Sequence, residues 1–121
     1  MNEKQRPEIP GIVFRGMNEI EVFQNNTIRP IVKMQHDFLI LLFESYLHKR
    51  KINFFNFQIL KKKESINSIF SKDTTFHHMI IGSVLGHFSE TELQFYIRHS
   101  NEIHKRIKKI VKKRIEDTFL S

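Results

Sequence analysis

Thr27-Ile28-Arg29-Pro30-Ile31-Val32-Lys33-Met34-Gln35-His36-Asp37-Phe38-Leu39-Ile40-Leu41-Leu42-Phe43-Glu44-Ser45-Tyr46-Leu47-His48-Lys49-Arg50-Lys51 is the stretch whose reading decides the fold class. Ile28, Ile31, Val32, Phe38, Leu39, Leu42, Phe43, Tyr46 and Leu47 recur at helical spacing. The pattern predicts one long helix over 27–51, with Thr27 as its N-cap and Pro30 tolerated in its first turn. Ile40 and Leu41 widen the apolar stripe almost to the full circumference between residues 38 and 43. A helix that is apolar all round is buried all round. The helix is therefore expected to be central, or shared with a second subunit. Lys49, Arg50 and Lys51 stand at its negative end, where the helix dipole favours cations.

Downstream, the aromatic stretch around Phe54, Phe55 and Phe57 reads as an irregular connection. A helix follows over 59–72, with Ile59, Lys63, Ile66, Ile69 and Phe70 on one side. Asp73 is placed to cap a helix over 74–86, whose stripe is Phe76, Met79, Ile80, Val84 and Phe88. Ser89 and Glu92 have capping-box spacing, and Phe88 and Leu93 have the spacing of a hydrophobic staple. The helix they start, over 89–99, carries Leu93, Phe95, Tyr96 and Ile97 and is read as core. Ser100 or Asn101 caps a last helix reaching about residue 119, with Ile103, Ile107, Ile110, Val111 and Ile115 as its inner stripe.

Upstream, Pro7, Pro10, Gly11 and Gly16 break regular structure, so residues 1–16 read as an extended arm. Ile9, Ile12, Val13 and Phe14 are its candidate anchors. Asn18 caps a short helix, with Glu19 and Glu21 in the first turn and Met17, Ile20 and Phe23 along one side. The expected organisation is an N-terminal arm with a short helix over 1–24 and an all-α domain over 25–121. That domain is a compact bundle of four principal helices plus one or two short ones.

The chain has 121 residues, 40% hydrophobic and 27% charged, which is a globular balance. The longest apolar run, 38–43, is far shorter than the roughly 20 residues of a membrane span. The start, Met1-Asn2-Glu3-Lys4-Gln5-Arg6-Pro7, lacks the apolar stretch of a signal peptide, so a cytoplasmic location is expected. With no Cys, disulfides, thiolate nucleophiles and Cys-ligated metal centres are excluded. The net charge of +7 suggests an acidic partner. Seventeen Ile, 13 Lys, 12 Phe, 8 Asn and no Ala also point to AT-rich codons, which supply part of the Lys excess without any function.

Charge is densest in the last helix, where Lys105, Arg106, Lys108, Lys109, Lys112, Lys113 and Arg114 crowd together. Lys105, Lys108, Lys109, Lys112 and Lys113 gather opposite the isoleucine stripe and form the candidate anion or nucleic-acid face. A solvated helical face is the bland alternative. Arg114 falls inside the apolar sector, where it is expected to meet a buried carboxylate or a subunit contact. No aromatic residue interleaves with these lysines, so stacking on single-stranded bases is not indicated. The helices over 89–99 and 101–119 also have a helix-turn-helix outline, which is common in all-α proteins.

Seven His residues show neither the His-x-x-x-His nor the Glu-x-x-His spacing of helical metal sites. Asp37, Glu44 and His48 share one helical side and are the residues to try first for acid–base chemistry, although an exposed stripe beside Lys33 and Lys51 is the favoured reading. No cofactor fingerprint occurs. Gly82 and Gly86 form a small-xxx-small pair inside an apolar helix. Each Gly costs about 1 kcal/mol relative to Ala there, which close approach of another helix would offset. Leu41, Gly82 and Gly86 are the candidate oligomer contacts.

Three stretches carry a resemblance: Arg6-Pro7-Glu8-Ile9-Pro10-Gly11, Phe23-Gln24-Asn25-Asn26-Thr27-Ile28-Arg29-Pro30-Ile31, and residues 82–88 with their Gly-His-Phe ending. Together they resemble a group of short, mostly uncharacterised bacterial helical proteins, some labelled "glyoxalase". The resemblance implies a bacterial, cytoplasmic protein without an assigned activity. The label implies metal ligands on β-strands or a His-x-His-x-Asp-His cluster, and this sequence has neither, so no catalytic residue is carried over. The functional expectation is a non-enzymatic homo-oligomeric interaction or assembly module, most simply a homodimer. The alternative is a nucleic-acid-associated protein using the basic last helix.

Overall fold

A computed structural model describes Arg6 and residues 18–121. Helices α1 (Glu19–Phe23), α2 (Arg29–Met34), α3 (His36–Lys49), α4 (Ile59–Lys72), α5 (Thr74–Leu85), α6 (Glu90–Arg98) and α7 (Ser100–Phe119) make an all-α bundle, with no strand among the described residues. Of the expected arm, only Arg6 is described. Ile9, Ile12, Val13, Phe14 and Met17 lie outside the described residues.

The stretch 27–51 is not one helix. Asn18 caps α1 by accepting the Glu21 N–H at 2.8 Å, and the chain then runs helically through Phe23 into a wide π turn, Gln24–Ile28. Thr27 is buried inside that turn rather than capping anything. Pro30 supplies the reason. It has no N–H for the α-helical bond one turn back. The ladder instead steps to the wider register, with the Arg29 N–H donating to the Gln24 carbonyl. A second break falls at Gln35, where the backbone leaves helical geometry before α3. The Gln35 side chain donates to the Ser83 carbonyl at 2.6 Å, tying this corner to α5.

The expectation that residues 38–43 are buried all round is also corrected. Leu39, Phe43 and Leu47 face the core, while Phe38 and Leu41 face outward. The central helix is α7, which touches α2, α3, α4, α5, α6 and the π turn. Its Ile103, Ile107, Val111 and Ile115 repeat every fourth residue and are essentially inaccessible, and Ile110 is half-buried at the edge. A row of β-branched residues with few accessible rotamers makes a stiff ridge for five helices to pack on. Its start lacks the expected Ser100 or Asn101 cap; His99 precedes it with no side-chain bond.

One half of the core is aromatic. Phe43 meets Phe54, Phe76 and Phe119 with ring centroids 5.5–6.1 Å apart. Phe54 is buried in a short turn, Phe54–Asn56, within the connection expected to be irregular. Helix α3 ends in a Schellman motif: the Lys51 N–H donates to the His48 carbonyl and the Ile52 N–H to the Leu47 carbonyl. Lys51 holds the left-handed position, with φ of 56°. In α4, Ile66, Ile69 and Phe70 are buried, and Ile59, expected on the same face, is exposed near the helix start.

Two acidic residues join distant elements. Asp73 caps α5 by accepting the Phe76 N–H at 2.8 Å. It also accepts from the Tyr46 hydroxyl at 2.6 Å and from Arg50 at 3.0 Å, so α3 and α5 lie side by side and antiparallel. Glu92 completes the capping box with Ser89, as its spacing indicates. The same carboxylate accepts both Arg6 terminal nitrogens at 2.7 and 2.8 Å and the Thr27 hydroxyl at 3.1 Å. Arg6 also donates to the His87 carbonyl. Of the expected staple pair, Phe88 packs on the rings of Phe23 and Tyr96, and Leu93 is exposed. Helix α6 joins the core only in part: Phe95 and Tyr96 pack against it half-buried, while Leu93 and Ile97 are exposed.

Candidate functional site

Two surfaces gather the residues with functional potential. The first is a groove of about 1060 Å³ between α7 and the π turn–α2–α3 corner. Lys105, Lys109, Lys112 and Lys113 line it from α7. Lys108, expected with them, does not line it. Its charge is felt instead at His104, one turn earlier on α7. Burial, then the charges of Lys108 and His78, hold the His104 ring below its ordinary pKa. The Tyr96 hydroxyl lies 2.5 Å from His104 Nε2, which suits a hydroxyl donating to a neutral ring.

From the opposite wall come Gln24, Arg29 and His36, which no periodicity in the sequence connects with α7. Arg29 holds to Asn25 through Nε at 2.9 Å. Arg106 is clamped by Glu102 at 3.0 Å and by the Gln24 side-chain carbonyl at 3.1 Å. Lys113 pairs with Asp117 at 2.6 Å, and this bond pushes its ammonium pKa up. Arg114 meets neither the expected carboxylate nor, among the described residues, any other. Its Nη1 donates to His36 Nδ1 at 3.1 Å, and its Nε is buried without a partner. That bond requires a lone pair on Nδ1, so the His36 proton sits on Nε2. Seven Lys or Arg side chains line this groove against Glu102, Glu116 and Asp117, which makes it strongly electropositive.

The second surface runs across α3 and α5. Phe38 is 49% exposed, Leu41 65% and Met79 43%. Gln35 at Ser83 and Tyr46 at Asp73 fix the antiparallel alignment of the two helices. That alignment sets Phe38, one turn after Gln35, and Met79, one turn before Ser83, at the same level of the two helices. Leu41 lies one step further round α3. Gly82 and Gly86 are exposed on the same side of α5. A Cβ at Gly82 would meet nothing within 4 Å, and one at Gly86 would meet only backbone of its own helix. Among the described residues neither glycine serves close packing inside the subunit.

Asp37, Glu44 and His48 share the side of α3 beyond Leu41 and do not line the α7 groove. Among the described residues no three His, Cys, Asp or Glu side chains stand close enough to hold a metal ion. The carboxylates with displaced pKa values serve the architecture. The Tyr46 hydroxyl, the Phe76 N–H and the Arg50 charge hold Asp73 below the usual carboxylate range, and burial opposes them. At Glu92, burial pulls the pKa up, but the Arg6, Ser89 and Thr27 bonds together outweigh it and the net shift is downward. Among the described residues no helix is long and apolar enough to cross a membrane. No family model, curated protein or solved structure matches the chain.

Proposed function

We propose that the chain is a non-enzymatic interaction module that assembles as a homodimer through the α3–α5 face. The observation that carries this reading is the exposure of Phe38, Leu41 and Met79 beside two glycines that present bare backbone to the outside. Full burial of such a side chain contributes about 1.5–3 kcal/mol, so covering these half-exposed ones contributes about 1–2 kcal/mol each. A two-fold contact counts each residue twice, which brings the gross gain to about 6–12 kcal/mol. Association itself costs about 4–15 kcal/mol. The face therefore fits a concentration-dependent dimer better than an obligate one. Gly82 and Gly86 favour α5 as the helix nearest the two-fold axis, because backbones approach closest where side chains are absent.

Light scattering coupled to size exclusion tests the proposal. The mass is expected to rise from 14.6 kDa toward twice that value between low and high micromolar loading. Leu41→Glu is expected to stay at the single-chain mass throughout. A wild-type chain that remains monomeric at high micromolar concentration refutes the proposal.

A further inference from the structure

Arg114 reaches into the cationic groove with its charge unanswered. Its guanidinium touches a neutral imidazole, His36, and its Nε is sealed from water without an acceptor. A half-buried charge with no counter-charge is unfavourable unless something else supplies one. Across the groove, Arg29 uses Nε on Asn25, which leaves its terminal nitrogens for other partners. Two guanidinium groups facing one space suit an anion with several oxygens, because Arg binds phosphate through paired N–H bonds.

Length limits the ligand. The α7 cations run from position 105 to position 114, about 13.5 Å at 1.5 Å per residue. Glu102 closes one end of this strip, and Glu116 and Asp117 close the other. A long phosphate backbone would have to run past these carboxylates, whereas a compact polyanion would not. Among the described residues the lining has no Phe, Tyr or Trp, and Ile110 is its one aliphatic member. A nucleobase would find no ring to stack on, so recognition falls on phosphate oxygens.

We propose that the groove between α7 and the α2–α3 corner is a binding site for a compact polyphosphate chain of two or three linked phosphoryl groups. Arg114 and Arg29 grip the chain from opposite walls, and Lys105, Lys109 and Lys112 neutralise its outer oxygens. Free polyphosphate and the tail of a nucleotide share this chemistry. The site is separate from the α3–α5 face and stands whether or not the chain dimerises.

Isothermal titration calorimetry of the whole chain at low salt provides the test, with inorganic tripolyphosphate as the probe. Tripolyphosphate is expected to bind at least about tenfold more tightly than orthophosphate. Arg29→Gln combined with Lys109→Gln should weaken it about tenfold or more. Both residues are exposed, so this variant keeps the fold. Lys61→Gln with Lys63→Gln, on exposed positions of α4, should leave affinity unchanged. Arg114→Gln is expected to abolish binding, and the exposed pair keeps the test decisive if that variant is unstable. ATP binding as tightly as tripolyphosphate identifies the free chain as sufficient, and tighter ATP binding identifies a nucleotide. The proposal is overturned if tripolyphosphate gives no binding at low salt. Equal loss in the α4 control, or tighter binding of a short DNA duplex than of tripolyphosphate, overturns it as well.

Discussion

Replacing Glu92 with Ala removes a carboxylate that accepts from Arg6 at 2.7 and 2.8 Å, from Thr27 at 3.1 Å and from the Ser89 N–H at 2.8 Å. A hydrogen bond to a charged group is worth about 1.5–3 kcal/mol net, and a capping interaction about 1 kcal/mol. These terms do not add, since all four donors share one carboxylate. The Arg6 pair is part-exposed and is discounted for solvent screening. The expected destabilisation is about 2–4 kcal/mol. A chain of 121 residues has a total stability of roughly 6–18 kcal/mol at about 0.05–0.15 kcal/mol per residue. The loss should thus lower Tm by about 8–15 °C. Urea unfolding followed by circular dichroism reads it directly. Glu92→Gln, which keeps shape and loses charge, should lose roughly half as much. Arg6→Ala should cost less once Glu92 is already Ala, because only its bond to the His87 carbonyl is then left to lose. A loss below about 0.5 kcal/mol for Glu92→Ala would refute the assignment of this carboxylate as the joint between arm, π turn and α6.

Other expectations are as direct. Gly82→Ala should stabilise the dilute monomer by about 1 kcal/mol, since the new methyl meets open space and helix propensity improves; a fall in Tm contradicts an unpacked Gly82. Lys51→Gly should add about 0.5–1 kcal/mol, because Lys51 occupies a left-handed position that suits Gly; unchanged unfolding midpoints argue against the Schellman ending. Acid should weaken the fold in two stages. The His104 ring has a folded pKa below its unfolded value near 6.5, so the unfolded chain takes up that proton first and stability declines as pH falls from about 6.5 toward the folded value. Asp73 and Glu92, also lowered, contribute fully above their unfolded values near 4 and lose that contribution as pH falls through their folded ones. A urea midpoint flat between pH 7 and 5, or one with the same slope in His104→Gln, contradicts the first stage.

Features set by neighbouring residues were readable in the chain. Asn18, Asp73 and Ser89 cap α1, α5 and α6, because a cap needs only a side chain and an N–H two or three residues on. The buried row of α7 follows from its four-residue repeat. Features set by distant residues were not readable. Periodicity joins Ile28 to Leu47 smoothly, yet Pro30 shifts the ladder and the Gln35–Ser83 bond holds a corner. The apolar girdle at residues 38–43 suggests a central helix, whereas the five helices packing on α7 decide the centre. The lysines of the groove stand out by density, but its floor does not. Arg29 and His36 are unremarkable in sequence and gain their place only when α2 and α3 fold over Arg114. Lys108 shares the wheel sector of its neighbours and still does not line the groove, because helix packing rather than angle alone settles which side opens on it.

The absence of native Cys gives the homodimer its most direct test. A single Met79→Cys substitution places the only thiol of the chain on the proposed contact, one turn before Gly82, and leaves both glycines in place. Treated with a short bismaleimide at high micromolar concentration, this variant should run as a covalent dimer on a denaturing gel. Ser68→Cys, on the exposed side of α4, should stay at the single-chain mass. Adding Leu41→Glu to the Met79→Cys chain should abolish the dimer band. A Met79→Cys chain that cross-links no more than the Ser68→Cys control would contradict assembly through the α3–α5 face.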